Sequence, residues 1–340
     1  MSKFQMYGTF LSVNIVLASL QTISMNYMEI GNQTAMSKFI LLGFSEDMDL
    51  QPLLFGLFLS MYLVTVFGNL LIILAVTSDS HLHTPMYFFL VNLAVLDMIC
   101  TSTILPKVLQ GLAADSTISF WGCLSQLFFF TWSLSSELLL FSAMAYDRYL
   151  AICRPLHYGA RMGGRVCVSL AAFVWGGGLL NAALLTGLVL RLSFCGPNLI
   201  AHFFCEIPPV LLLSCSPTFV NDVMTITADV FLSGMNFLLT LASYSCIVAS
   251  VLRMRSAVGR RRAFSTCSSH LLVVSLFYST AILTYFRPRS STSPEGKKLL
   301  SLSYTVLTPM LNPIIYSLRN SEVKAALRRV VLRALGPRKL

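Results

Sequence analysis

Residues 122–146, GCLSQLFFFTWSLSSELLLFSAMAY, run without a break into DRYLAIC at 147–153 and then into Arg154, Pro155, Leu156, His157 and Tyr158. As a helix the first stretch is long enough to cross about 30 Å of hydrocarbon, which takes roughly 20 residues. The second places Asp147 and Arg148 side by side where that helix leaves the apolar phase. A partly desolvated guanidinium there seeks a carboxylate or a partner's carbonyls, so the pair can hold a charge latch.

Working outward, the rest of the chain repeats this design. Of its 340 residues 56 % are hydrophobic and 11 % charged, too few polar groups to face water over soluble domains. Seven runs can span a bilayer, approximately 53–76, 86–109, 122–146, 166–190, 223–252, 263–286 and 299–318. Backbone groups in lipid must bond within their own segment, so each run is read as a helix and the fold class as an all-α, seven-transmembrane helix bundle. With the loops after spans two, four and six outside, most of the 24 Lys and Arg fall on the other face, from Arg148 and Arg154 to Arg260, Arg261, Arg262 and the tail. The positive-inside bias then puts the N-terminus outside and the C-terminus in the cytoplasm. The net charge of +10 is thus a topology signal, and no nucleic-acid partner is expected, because no soluble domain presents a basic patch.

The chain divides into an N-terminal extension (1–27), an extracellular tail (28–52), the helical domain (53–319) and a cytoplasmic tail (320–340). The extension has a basic start at Lys3 and an apolar run from Phe10 to Leu20, the proportions of a secretory signal; the alternative is an upstream start preceding Met28. Asn32-Gln33-Thr34 is a glycosylation sequon in the exterior tail. Within the cytoplasmic tail, residues 320–334 read as an amphipathic helix with Val323, Ala326, Leu327 and Val330 on one side. That helix and the basic loop Arg253–Arg262 suit anionic membrane lipid.

Cys123, Cys195, Cys205 and Cys215 share the exterior face, where an oxidising compartment favours pairing; the sequence itself leaves three pairings open. Asp97 and Glu137 are the acids deepest in the spans, and such costly groups face the bundle interior and find partners. Pro309 and Pro313 remove helical hydrogen bonds from the last span, and Asn312 offers an amide to the freed carbonyls, giving a point where the helix bends.

The segments FILLGFS (39–45), GN (Gly68, Asn69), LHTPMYFFL (82–90), MAYDRYLAIC (144–153), SY (Ser243, Tyr244), AFSTCSSHL (263–271) and PMLNPIIYSLRN (309–320), in this order, resemble the vertebrate odorant receptors, which are rhodopsin-like G-protein-coupled receptors. The resemblance covers about residues 28–330 and implies a small, mostly apolar volatile odorant as ligand. It further implies a stimulatory, olfactory-type heterotrimeric G protein as partner, a rise in cAMP, a plasma-membrane location in sensory cilia, and no catalysis. By the same resemblance Arg148 pairs with Asp147 at rest and is released toward the G protein, Tyr244 and Tyr316 on activation, with Tyr149, Asn312 and Pro313 in the same machinery. It implies disulfides Cys123–Cys205 and Cys195–Cys215. It also gathers Asp97 and Glu137 with Asn69 and Asn312 in a polar pocket where sodium binds at rest; a protonated, hydrogen-bonded carboxyl is the alternative. No other cofactor is implied.

Helix phase puts Phe130, Thr131, Leu134 and Ser135 on one face of the third span, which the resemblance makes the ligand-facing one. The corresponding depth on the other spans holds Ala228, Asp229, Leu232, Tyr278, Ala281, Ile282, Tyr285, Leu302 and Thr305. Asp229 either selects a ligand donor or reaches back to the wet rim, toward Arg287 and Arg289. The chain departs from the family at Ser279, where a glycine is common, and at Arg262, where a lysine is. A secondary transporter is the competing function, disfavoured because the spans show no inverted repeat. A retinal-bound sensor would need a lysine in the seventh span.

Overall fold

The computed structural model describes residues 37–44, 49–195, 197–286, 294–319 and 321–334. The extension 1–27, Asn32, Arg287 and Arg289 therefore lie outside the described residues, as do the side chains of Arg261, Arg262, Ala281, Ile282, Tyr285 and Val330. The helices are α1 (Gln51–Ser78), α2 (Pro85–Ala113), α3 (Phe120–Cys153), α4 (Gly164–Val189), α5 (Phe219–Arg253), α6 (Ala257–Phe286), α7 (Pro294–Leu302 running on to Thr308–Arg319) and α8 (Ser321–Ala334). Among the described residues six of them, α1 to α5 and α7, are long and apolar enough to cross a membrane. α6 packs against α3, α5 and α7 and completes the bundle.

Local chemistry sets the starts. Pro85 opens α2 from an extended Thr84, where its missing N–H costs nothing. Ser119 caps α3 by accepting from the Gly122 N–H at 3.0 Å.

α3 is the axis of the molecule: 78 % of its apolar stretch is buried, against 22 % for α1 and for α5. The outer helices instead present large apolar side chains such as Leu53, Phe67, Phe173, Leu180 and Phe231. In water such a surface would drive aggregation; against acyl chains it is solvated. Lipid is as apolar as leucine, so close packing and interhelical hydrogen bonds hold the helices together. Trp175 Nε1 donates to Asn92 Oδ1 at 2.8 Å, Asn181 Nδ2 to Ser135 Oγ at 2.9 Å and Trp132 Nε1 to the Trp175 carbonyl at 3.1 Å. The Gly176-Gly177-Gly178 run serves the same end, since Gly178 lets α4 approach the backbone of α3.

Three features depart from a purely helical reading. A small sheet at the disulfide end joins β1 (Lys38–Leu41), antiparallel to β2 (Thr117–Ser119) and parallel to β3 (Leu199–Ile200), in the order β2-β1-β3. The FILLGFS segment thus begins as a strand. α5 and α7 each contain a π-turn, Val230–Gly234 and Ser303–Leu307. Last, Asn312 does not serve the carbonyls freed by the prolines. Pro309 leaves the Thr305 carbonyl, which takes Cys100 Sγ of α2 at 3.8 Å; Pro313 leaves the Pro309 carbonyl, which takes Asn69 Nδ2 of α1 at 3.4 Å. Neighbouring helices supply the donors because Asn312 is committed elsewhere.

α8 lies against α1 and buries Val323 and Ala326. Tyr87 donates to Glu322 Oε2 at 2.7 Å, and Arg329 Nε to Asp79 Oδ2 at 2.8 Å. The Arg329 guanidinium holds the Asp79 carboxyl below its ordinary range.

Candidate functional site

The functional residues lie along α3 in three polar groups. At the Asp147 end, Arg148 donates from Nε to Asp147 Oδ2 at 2.8 Å, and its Nη2 pairs with the same oxygen. The other oxygen, Oδ1, accepts from the Tyr158 hydroxyl at 2.7 Å. Asp147 is 1 % and Arg148 6 % exposed, so the pair is shut away from water, where only close geometry and further hydrogen bonds offset desolvation. Tyr158 supplies such a bond from the short helix Tyr158–Arg161. Burial and the neighbouring carboxylate push its hydroxyl well up, keeping it a donor at neutral pH.

Around this pair, Tyr149 is half-buried and packs against the cluster of Ala145, Tyr244, Ile247 and Cys267. Tyr244 of α5 is hydrogen-bonded to His270 Nδ1 of α6, the rings stacked at 5.7 Å. Tyr316 of α7 is buried, and its hydroxyl has no hydrogen-bond partner among the described residues. Both tyrosines lie within electrostatic reach of Arg148. Pro313 sits against Gly68, where a Cβ would fall 2.9 Å from the proline ring, so the bare glycine lets α1 and α7 meet there.

Midway along α3, Asp97 and Glu137 are buried with Asn69 and Asn312. Asn312 Nδ2 donates to both Asp97 oxygens at 3.0 Å. Glu137 Oε1 and Asn312 Oδ1 have no hydrogen-bond partner among the described residues.

At the disulfide end, Cys123 is bonded to Cys205 with Cα atoms 5.4 Å apart, and Cys195 to Cys215 at 5.9 Å. The Cys205 N–H donates to Gln126 Oε1 of α3 at 2.8 Å, so the loop is held to that helix twice. Phe204 packs edge-on to Phe130 at 4.9 Å. Phe130 and Leu302 belong to one apolar cluster, and Leu134 packs against it and against the cluster that holds Tyr278. Leu232 packs against the Tyr278 cluster, and Ala228 against the one that holds Cys205. Thr131 is buried; Ser135 is taken by Asn181 of α4; Thr305 donates to the Ser301 carbonyl of its own helix at 2.7 Å. Asp229, half-buried, lies close enough to Glu206 for their charges to interact.

Sequence reasoning missed Tyr158, His270, Gln126 and Glu206. His270 carries the one available signal, an imidazole inside an apolar span at Tyr244's end of the bundle. The others became visible only when the loops folded back. At Ser279 the hydroxyl bonds the Leu276 carbonyl of its own helix at 2.9 Å, absorbing the departure from glycine locally.

A bundle with a pinned loop at one end and a buried acid–arginine pair at the other is built by a sequence that matches a known group. The sequence model of that group, described as olfactory receptor, matches residues 58–334. Olfactory receptor 13A1 of Homo sapiens is 55 % identical over 300 residues, covering 88 % of this chain and 92 % of that protein. Olfactory receptor 10A4 of Homo sapiens is 55 % identical over 311 residues, 91 % of this chain and 99 % of that one, and olfactory receptor 13G1 is 51 % identical over 300. Agreement of this depth over nearly the whole helical domain, in a bundle built for lipid, shows that the chain is a multi-pass plasma-membrane protein and belongs to the olfactory receptor family.

Proposed function

We propose that this chain binds a small, mostly apolar odorant among Phe130, Leu134, Leu232, Tyr278 and Leu302 and passes a helix rearrangement to a stimulatory, olfactory-type G protein, raising cAMP. The observation that carries the reading is the Asp147–Arg148–Tyr158 cluster, a buried charge held closed beside two acceptor-capable tyrosines. In this reading the disulfide end faces outward and the basic Asp147 end faces the cytoplasm. A guest cannot push the bundle; it biases an existing equilibrium by binding one arrangement better. In the active arrangement Arg148 leaves Asp147 for the G protein and for Tyr244 and Tyr316, and the bend near Pro313 lets α7 follow. On this reading the chain itself carries out no covalent step, membrane lipid solvates its flanks and α8, and nucleic acid plays no part.

The pair of orphaned oxygens, Glu137 Oε1 and Asn312 Oδ1, fits a sodium ion held by Asp97, Glu137, Asn69 and Asn312 at rest. A cation there would balance two carboxylates that otherwise repel.

Cells expressing the chain with the olfactory-type G protein should show a concentration-dependent cAMP rise to some member of a chemically diverse odorant panel. Arg148→Ala, displayed at equal surface level, should abolish it. Uptake of a labelled solute with no cAMP response would instead favour the transporter, which the comparisons do not support.

A further inference from the structure

At the disulfide end of the bundle, Glu206 is a largely enclosed acid that the sequence reading passed over. Glu206 follows Cys205, whose disulfide to Cys123 and N–H bond to Gln126 fix the segment His202–Glu206 against α3. Its side chain is only 16 % exposed. The carboxylate is placed between elements: Oε2 accepts from the Tyr304 hydroxyl of α7 at 3.3 Å, Oε1 lies 3.4 Å from His202 Nε2, and Asp229 of α5 is near. Tyr304 packs against the cluster of Leu302 and Phe130, and Asp229 follows Ala228, so Glu206 meets α7 and α5 beside residues assigned to the ligand.

Its present partners do not use it up. The Tyr304 contact is longer than the usual 2.7–2.8 Å of an O–H···O bond, the His202 contact is longer than the usual 2.9–3.0 Å of an N–H···O bond, and a carboxylate can accept about four hydrogen bonds. His202 is 3 % exposed, and neither ring nitrogen has a hydrogen-bond partner among the described residues. Burial, with Lys298 nearby, lowers His202 to about 4, so it stands beside the acid as a neutral ring. Burial and Asp229 push Glu206 up to about 7 against the opposing bond from Tyr304. A donor that reaches a carboxyl so desolvated stabilises its ionised, accepting form.

We propose that Glu206 is the polar recognition group of the odorant site, accepting a hydrogen bond from a guest that carries a hydroxyl or amine on a small apolar skeleton. The inference rests on the odorant reading and adds to it the class of odorant. Apolar walls give such a guest affinity but little selectivity; a fixed acceptor selects, because a matched molecule without the donor leaves the acceptor desolvated and unpaired.

The test is a set of matched pairs, alcohols and primary amines against their methyl ethers and hydrocarbons of equal carbon number, applied to the full chain in the cAMP assay. The wild type should respond to the donor-bearing member at concentrations roughly 10- to 100-fold lower, the range a hydrogen bond to a charged group confers. Glu206→Gln should shrink that preference at least about tenfold while moving the ethers little. Glu206→Asp, which keeps the carboxylate that the neutral glutamine amide replaces, should retain more of the preference. An equal shift for both classes in Glu206→Gln, or a wild type that prefers the ethers, would overturn the assignment; the second result stands even if the variants fail to reach the surface. A displayed wild type silent to the whole panel would count against the odorant reading itself and remove the site with it.

Discussion

Gly178→Val is expected to remove the receptor from the cell surface almost completely, a fall of tenfold or more in surface labelling. A Cβ at Gly178 would lie 2.9 Å from the Ser136 nitrogen and 3.0 Å from the Trp132 carbonyl oxygen, both backbone atoms of α3, with Ser136 Oγ closer still. A side chain could turn aside; a helix backbone cannot. The α3–α4 contact is extensive, and Trp132, Trp175, Ser135 and Asn181 hydrogen-bond across it. Valine would force that seam open, and overpacking of this kind costs about 1–3 kcal/mol before the hydrogen bonds are counted. Gly176→Val is the matched control. Its Cβ meets nothing within 4 Å and valine is a better helix former than glycine, so it should be displayed within about threefold of wild type. Similar display of the two variants would show that the close approach is not what the glycine run supports.

The second large effect is expected from Cys205→Ser or Cys123→Ser. That disulfide closes a separation of 82 residues, worth about 4 kcal/mol of loop entropy, and also pins the segment that carries Phe204 and Glu206 over Phe130. Cys195–Cys215 closes a separation of only 20, worth about 3 kcal/mol, and lies within the loop. Surface labelling and odorant dose–response should therefore both collapse for the first bond. For the second, display should fall less and the response of the displayed fraction should survive. Equal loss on breaking either bond would mean that the α3 anchor has no special part in shaping the site.

Much of the bundle was legible because lipid is a demanding solvent. A run such as 122–146 has one stable conformation there, and α3 indeed covers it, extended to Cys153. The Asp147–Arg148 latch was legible from two adjacent charges at the membrane edge; the disulfide partners were legible only through resemblance, since nothing local to Cys123 names Cys205. What could not be read depends on chain segments meeting from far apart. β1 is four residues long, too short for an alternating pattern, and exists because β2 and β3 lie on either side of it. Asn312 looked like a donor to its own helix; in the folded chain Asp97 outcompetes a carbonyl for its amide, and Asn69 and Cys100 fill the gap. Tyr158 meets Asp147 only after the turn Pro155–His157 brings it back, and the π-turn at Val230–Gly234 has no sequence signal comparable to a proline.

The central claim is that a guest at the disulfide end opens the Asp147 end. It is tested most directly by the distance between spin labels at Arg154, just beyond α3, and at Val258 in α6, both exposed, in lipid discs with and without an activating odorant and the G protein. The account predicts a longer second population on adding both, and its absence in Arg148→Ala. A distance distribution that stays unchanged while cAMP signalling from the same labelled receptor persists would contradict it.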